Sequence, residues 1–322
     1  MHKSSFRLPR IWGAAWSLCL GMLVNALPVT ARAELKVVAT IKPIHSLVAQ
    51  VMGTTGAPEL LVGGNASPHT FVMKPSDAKK LATADIVFRV SDQVEPFTIK
   101  AAKLVAKTAP VVTLQLASGV VTLPRRAGGP FGAHGDHDHH DDHVKDANPV
   151  DGHVWLDPAN AKAIVDAIAA ALAAKAPEHG AAYKANAAAA KARIDSMTAD
   201  LTRDLSGVAG RPYVVFHDAY QYFEKRFNLA AAGSITVNPD VPPSGKRLSG
   251  LRSKIAKLGA TCVFSEPNFE AKVIKAVIEG SSAKTGILDP EGASLPPGPD
   301  LYDTLMRNLA ASLKECLQPA LR

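Results

Sequence analysis

The chain has 322 residues, of which 47% are hydrophobic and 20% are charged, and its formal net charge is +7. Its lysine and arginine residues are spread along the chain rather than concentrated in a stripe, so the positive charge does not indicate nucleic-acid binding. The one long apolar run lies near the N-terminus, which excludes a membrane-spanning helix in the rest of the sequence.

The first 33 residues have the three parts of a secretory signal peptide. Three basic residues precede the apolar segment Ile11–Leu27, and the small-x-small cleavage pattern of Ala31–Ala33 follows it. A lipoprotein anchored through Cys19 is the alternative, but the bulky Leu18 stands where such a site takes a small residue. We therefore predict a cleaved signal peptide over residues 1–33. The exported chain keeps 32 Lys and Arg and 29 Asp and Glu, a net charge of +3, and is long enough for two ordinary domains.

Two cysteines remain in the exported chain, Cys262 and Cys316. An even number of cysteines is typical of a disulfide in an exported protein, because such proteins fold in an oxidising environment. The last predicted helix would also carry Cys316 back against the strand that holds Cys262. We predict a disulfide between them; the alternative is a pair of buried free thiols.

Strands and helices alternate in the first half of the exported chain. β-Branched runs predict the strands, and apolar residues at helical spacing predict the helices. Such alternation indicates βαβ units and a mostly parallel sheet. The predicted order is strand Leu35–Ile41, a helix after Pro43, strand Pro58–Val62, helix Pro75–Ala84, strand Asp85–Val90, helix Pro96–Ala106 and strand Val111–Leu116.

A polar segment, Leu123–Val150, is too long for an ordinary connection unless it has a function. Within it, residues 134–143 are all His, Asp or Gly, a composition that cannot bury an apolar core. Imidazole and carboxylate groups are ligands that zinc prefers, so we expect this tract to collect metal weakly. Its histidines are His134, His137, His139, His140 and His143.

Two alanine-rich helices are predicted next. Asp157 and Pro158 are typical of an N-cap and a first helical residue, and this helix runs to about Lys175. The second covers residues 178–205 without a proline and should be about 40 Å long. We interpret residues 176–209 as a rigid link between two halves of the protein; alanine-rich surface packing is the alternative explanation.

The second half repeats the alternation. Its predicted elements are strand Tyr213–Phe216, helix Ala219–Phe227, strand Gly233–Val237, helix Ser244–Leu258, strand Thr261–Phe264, helix Phe269–Ile278, strand Thr285–Leu288 and helix Leu301–Cys316. The predicted fold class is α/β, with two similar lobes joined by one long rigid helix. Each lobe is a mostly parallel four-stranded sheet flanked by helices, the N-terminal lobe over 34–175 and the C-terminal lobe over 210–322.

Four residues lie where open parallel sheets bind ligands, beyond the strand ends and before helices. They are His69, His153, His217 and Asp289, two from each half. Three imidazoles and one carboxylate are ligands of the kind that bind zinc tetrahedrally. Each of these residues alone, however, is also typical of a cap or turn. Other polar residues have simpler interpretations. Asp157 is an N-cap and Asp77 belongs to a helix start, while His45, on a partly exposed helix face, and His179, in a turn, are structural. Glu266 is either a partner of a ligand imidazole or an exposed carboxylate.

Seven motifs along the chain resemble one known family. They are Pro68-His69, Lys74-Pro-Ser-Asp77, Ala84-Asp85, Gly152-His-Val-Trp-Leu-Asp-Pro158, Phe216-His-Asp-Ala-Tyr220, Val263-Phe-Ser-Glu-Pro-Asn-Phe269 and Leu288-Asp-Pro290. On these motifs the chain resembles the ZnuA-like metal-binding solute receptors, the periplasmic zinc-binding components of ABC zinc importers. The resemblance implies a two-lobed periplasmic monomer that binds Zn²⁺ between its lobes and delivers it to a membrane permease.

The resemblance also implies site residues. It places the family's metal ligands on His69, His153, His217 and Asp289, and its histidine-rich loop on residues 134–143. Manganese-selective relatives have Glu at the position of His217, so this histidine favours zinc, and a manganese receptor of the same family is the alternative. Some relatives have an acidic residue at the position of Pro68, so no carboxylate ligand is expected from this loop. The family's disulfide matches Cys262 with Cys316.

The sequence thus predicts a binding protein and not an enzyme. A zinc hydrolase is an alternative, because three histidines with an open position would activate a bound water. It would need a general base, however, and the chain has no His-Glu-x-x-His helix, while Asp289 would fill the open position. A third interpretation is a metal-storage or adhesin-like surface protein, which the lack of a recognisable lipid anchor or cell-wall signal disfavours.

Overall fold

The structure of the chain is a computed structural model. It describes His2 and residues 34–105, 107–126, 129–131, 150–236, 243–258, 262–267 and 271–318. The predicted signal peptide and the histidine-rich tract with His134, His137, His139, His140 and His143 lie outside these residues. Among the helices of the described residues, none combines the length and the apolar character needed to span a bilayer.

The first lobe is built on a sheet of four parallel strands in the order β2-β1-β3-β4. The helices α1, α2 and α3 connect successive strands, and crossovers of this kind place helices against the sheet faces. The central strands β1 and β3 are accordingly buried along their whole length. The bounds are β1 Val37–Ala39, α1 Lys42–Met52, β2 Glu59–Leu60, α2 Pro75–Thr83, β3 Ile86–Arg89, α3 Thr98–Val105 and β4 Val111–Thr113.

The second sheet has the order β5-β7-β6-β8-β9. Four of its strands are parallel, as predicted, whereas β5 is a two-residue antiparallel strand that precedes the histidine-rich tract in the chain. The segment that leads into this tract is therefore paired with the second sheet. The bounds are β5 Gly129–Pro130, β6 Tyr213–His217, α6 Gln221–Arg226, β7 Ala231–Thr236, α7 Gly245–Leu258, β8 Cys262–Ser265, α8 Ala271–Ile278, β9 Lys284–Ile287 and α9 Leu301–Leu317.

Two long helices precede β6 in the chain, α4 (Pro158–Lys175) and α5 (Gly180–Leu205). The 26 residues of α5 span about 39 Å, and the helix packs against α1 of the first lobe and α9 of the second. Its buried residues recur every three or four positions, which places them on one face: Tyr183, Ala187, Ala190, Ile194, Met197, Leu201 and Leu205. The predicted two-lobed α/β fold with a long connecting helix is confirmed.

The predicted disulfide is present between Cys262 at the start of β8 and Cys316 near the end of α9, with the two Cα atoms 6.1 Å apart. Both residues are buried in an apolar core that extends from β1 through α5 to α9. The bond ties the last helix to the second sheet.

Candidate metal centre

Three of the predicted site histidines lie close together. His69 is in the loop between β2 and α2, and His153 immediately precedes the 3₁₀ turn Val154–Leu156 that leads into α4. His217 is the last residue of β6 in the second sheet. In each sheet the parallel strands have their carboxyl ends at the same edge, where open sheets bind ligands. The three histidines of the two lobes lie close together at these ends.

The nitrogens of these histidines have the spacing of ligands to one ion. His153 Nε2 is 3.3 Å from His69 Nε2 and 3.3 Å from His217 Nε2. One nitrogen from each of the three residues lies within 4.8 Å of the others. Two nitrogens that each bind a tetrahedral zinc ion at about 2.0–2.1 Å are about 3.3–3.4 Å apart. The observed spacing therefore fits a zinc ion without rearrangement of the rings.

The second nitrogens of the His153 and His217 rings have carboxylate partners. His153 Nδ1 donates to Asp151 Oδ1 at 2.7 Å, and His217 Nδ1 lies 2.7 and 2.8 Å from the two carboxylate oxygens of Glu266. The ring of His69 bonds to the backbone of Gln93. A proton held on Nδ1 leaves the lone pair of Nε2 free, so these partners fix both the orientation and the tautomer that a metal requires.

Burial and neighbouring charges shift the protonation of the site. The pKa of His69 lies well below its ordinary value, because burial disfavours the charged ring and His153 and His217 add repulsion. Burial also opposes charge on His217, but the carboxylate of Glu266 outweighs it, so the pKa of His217 is raised. His69 is thus neutral at pH 7, the form that could bind a metal, and the Asp151 and Glu266 carboxylates would lie close to an ion held by the three rings.

The two carboxylates are themselves held in place. Tyr220 Oη donates to Glu266 Oε1 at 3.0 Å, and Gln221 Nε2 donates to Asp151 Oδ2 at 2.6 Å. Gly152 allows the Asp151–His153 segment to approach the loop that follows β3, since a Cβ there would lie 2.6 Å from Ser91 Oγ. The imidazole positions are therefore determined by a rigid network and not by the three side chains alone.

Asp289, the fourth predicted ligand, lies just beyond β9. Its carboxylate accepts hydrogen bonds from the backbone of Glu291 at 3.2 Å and of Ser294 at 3.3 Å. Within the described residues, the group with closely spaced ligand atoms contains the three histidines and not Asp289. Its role as a ligand stays a prediction.

The remaining candidates have local roles. Asp157 caps α4 by accepting from the Ala159 amide at 2.9 Å, and Asp77 accepts from the Lys74 amide at 2.9 Å at the start of α2. His179 is exposed beside Tyr183. His45 is buried, with 9% of its surface exposed, and its Nε2 lies 3.0 Å from the Pro58 carbonyl oxygen, so the predicted partly exposed position was wrong.

Sequence reasoning left the role of Glu266 open and missed Asp151 and Gln93 as partners of the clustered histidines. Asp151 had a detectable signal, because it lies two residues before His153 in an otherwise apolar segment. Gln93 had none, since it acts through its backbone, which every residue carries.

Replacing Glu266 by glutamine is expected to weaken zinc binding about tenfold. The amide oxygen still accepts the His217 Nδ1 proton, but the negative charge that supports the ligand is lost, and changes to such partners typically cost 10- to 100-fold in metal affinity. The measurement is competition with a zinc-binding dye. Glu279→Gln is the matched control, because Glu279 is an exposed carboxylate paired with Arg252. Equal affinities for the two variants would contradict the role of Glu266.

Comparisons with known proteins agree with these observations. The family model described as "ZnuA: Zinc-uptake complex component A periplasmic" matches residues 37–316. The chain is 44% identical over 305 residues to the high-affinity zinc uptake system protein ZnuA of Brucella abortus (strain 2308), covering 87% of this chain and 91% of the relative. It is 35% identical over 325 residues to the corresponding protein of Paracoccus denitrificans (strain Pd 1222), covering 94% and 98%. A crystal structure of ZnuA has the same fold, with a TM-score of 0.74 at 23% identity over 88% of this chain and 99% of that one.

Proposed function

Because the chain belongs to the ZnuA family of periplasmic zinc-uptake components, we propose that it captures Zn²⁺ in the cleft between its lobes and delivers it to an ABC permease. The observation that carries the proposal is the convergence of three imidazole nitrogens within 4.8 Å of one another, with His153 Nε2 3.3 Å from both His69 Nε2 and His217 Nε2. His69 and His153 come from the first lobe and His217 from the second. Ligands from both lobes make binding depend on how the lobes are placed.

The proposed ligand set is His69, His153, His217 and Asp289. Imidazole suits zinc, whereas a set richer in oxygen suits manganese, so three histidines favour zinc over the manganese alternative. Asp151 and Glu266, each bonded to a ligand ring, offset the two positive charges of the ion. This balance matters because His153 and His217 are only 6% and 2% exposed, so a bound ion would be largely removed from water.

We further propose that the protein acts without catalysis, as a monomer in the periplasm, after cleavage of the signal peptide over 1–33. A zinc hydrolase needs an open position on the metal and a general base near it, whereas here Asp289 would occupy the fourth position. The carboxylates of Asp151 and Glu266 are already bonded to ligand histidines. The histidine-rich tract over 134–143 would collect zinc weakly ahead of the fixed site.

The proposal is tested by metal titration of the exported chain, residues 34–322. We expect one tight zinc site that manganese does not displace at equal concentration, together with weaker sites. Deleting residues 134–143 should remove the weaker sites and leave the tight one, measured by calorimetry. Loss of the tight site on deletion, or displacement of zinc by manganese, would contradict the proposed division or the proposed metal.

A further inference from the structure

The loop between β9 and α9, residues 288–300, carries Asp289 and is held by side chains of the first lobe. Three polar residues of α1, Lys42, Ser46 and Gln50, follow one another at intervals of four and so lie on one face of the helix. Ser46 Oγ donates to the Pro299 carbonyl at 2.8 Å, and Gln50 Nε2 donates to the same oxygen at 2.7 Å. Ser46 Oγ also accepts from the Tyr302 amide at 3.0 Å. Helix α1 thus holds the far end of the loop.

Lys42 holds the near end. Its ammonium group donates to three backbone carbonyl oxygens, those of Gly292 at 3.1 Å, Ala293 at 2.6 Å and Leu295 at 2.9 Å. These three bonds occupy all the N–H groups of the side chain, which is only 6% exposed. Burial lowers the pKa of Lys42, and the neighbouring carboxyl groups of Asp289 and Glu291 act in the opposite direction. The three bonds to this buried ammonium group hold residues 292–295 in a tight turn around it.

The same turn orients the Asp289 carboxylate. The amides of Glu291 and Ser294, which donate to Asp289, belong to the same short stretch of backbone as the carbonyls that Lys42 binds. Trp155, two residues after His153, adds a further bond from its Nε1 to the Pro290 carbonyl at 2.9 Å. Within residues 288–295, in contrast, the described bonds from the rest of the second lobe are those of Leu288, whose amide donates to the Ser265 carbonyl and whose carbonyl accepts from Tyr220 Oη.

We propose that Lys42 is a positioning residue for the Asp289 end of the metal site. It fixes the 291–295 turn, the turn fixes the carboxylate, and Asp289 is therefore held by the first lobe although it follows a strand of the second. The inference rests on the proposed function, in which Asp289 is the fourth zinc ligand. Three of the four ligands would then be carried by the first lobe, and His217 alone by the second.

The first test is zinc affinity in a double-mutant cycle. Lys42→Met keeps the length and apolar stem of the side chain but removes its three donors, and we expect about 10- to 100-fold weaker zinc binding, the usual effect of losing a group that orients a ligand. In the Asp289→Ala background the same change should have less than a threefold effect, because the ligand it positions is gone. Lys254→Met is the matched control, since the Lys254 ammonium bonds to the Phe131 carbonyl away from this loop. Equal effects of Lys42→Met in both backgrounds would overturn the inference.

The second test needs no metal. Amide hydrogen exchange in residues 289–295 of the zinc-free protein should become faster in Lys42→Met and stay unchanged in Lys254→Met. Unchanged exchange in Lys42→Met would overturn the positioning role even if the wild-type protein binds zinc. Failure of the wild-type protein to bind zinc, with the loop still loosened in Lys42→Met, would instead overturn the proposed function and leave the docking of the loop established.

Discussion

Replacing His217 by alanine is expected to lower zinc affinity by about 100- to 1000-fold. Four protein ligands commonly supply about 10–16 kcal/mol of zinc-binding free energy, so one ligand accounts for about 3–4 kcal/mol, and each 1.4 kcal/mol is a factor of ten. In the proposed site His217 also contributes the metal-binding nitrogen of the second lobe, and its Nδ1 lies 2.7 Å from Glu266 Oε1. Its loss would therefore remove one metal–ligand bond and also weaken the contact between the ion and the second lobe.

The measurement is competition with a chelator of known zinc affinity, on the exported chain without the 134–143 tract so that weak binding does not obscure the result. His179→Ala is the matched control, because His179 is exposed and contacts Tyr183 rather than the metal centre. A His217→Ala variant that binds zinc within threefold of the wild type would exclude His217 as a ligand. Circular dichroism before titration separates loss of a ligand from loss of the fold.

Removing the disulfide by changing both Cys262 and Cys316 to serine should lower the free energy of unfolding by about 4 kcal/mol. The bond closes a loop of 54 residues, and cross-links over loops of this length are expected to destabilise the unfolded chain by that amount. Cys262 begins β8, whereas Glu266 follows the other end of the strand, about 13 Å away along an extended chain. We therefore expect zinc affinity to change little while stability falls.

This prediction is checked by urea unfolding of the zinc-free protein, because bound zinc would add its own stabilisation. Adding a thiol reductant should bring the wild-type protein down to the stability of the double-serine variant and leave that variant unchanged. A loss below about 1 kcal/mol would show that the bond contributes little beyond the packing of α9 on the second sheet.

Local patterns predicted most of the fold. The β-branched runs at β1, β3, β6 and β8 and the apolar spacing of the helices between them depend on residues adjacent in the chain, and these elements lie where they were predicted. Strand ends were less accurate. The strand predicted over 111–116 ends at Thr113 and continues as a 3₁₀ turn, because hydrogen bonding to a neighbouring strand decides where a strand stops.

The antiparallel strand β5 was not predicted. Its two residues, Gly129 and Pro130, have little strand preference of their own and are extended because they pair with β7. Pairing across a hundred residues of chain leaves no local pattern, so only the folded sheet shows it.

The sequence by itself determined two α/β lobes, a long helix between them and the histidines at the ends of the strands, because periodicity, helix propensity and residue chemistry are local properties. The tertiary structure alone decided that three imidazole nitrogens lie within 4.8 Å of one another and that Asp151 and Glu266 orient two of the rings. It also decided that Lys42 binds three carbonyls about 250 residues away. Such contacts join backbone groups and distant segments, and their distances are set by the packing of whole elements.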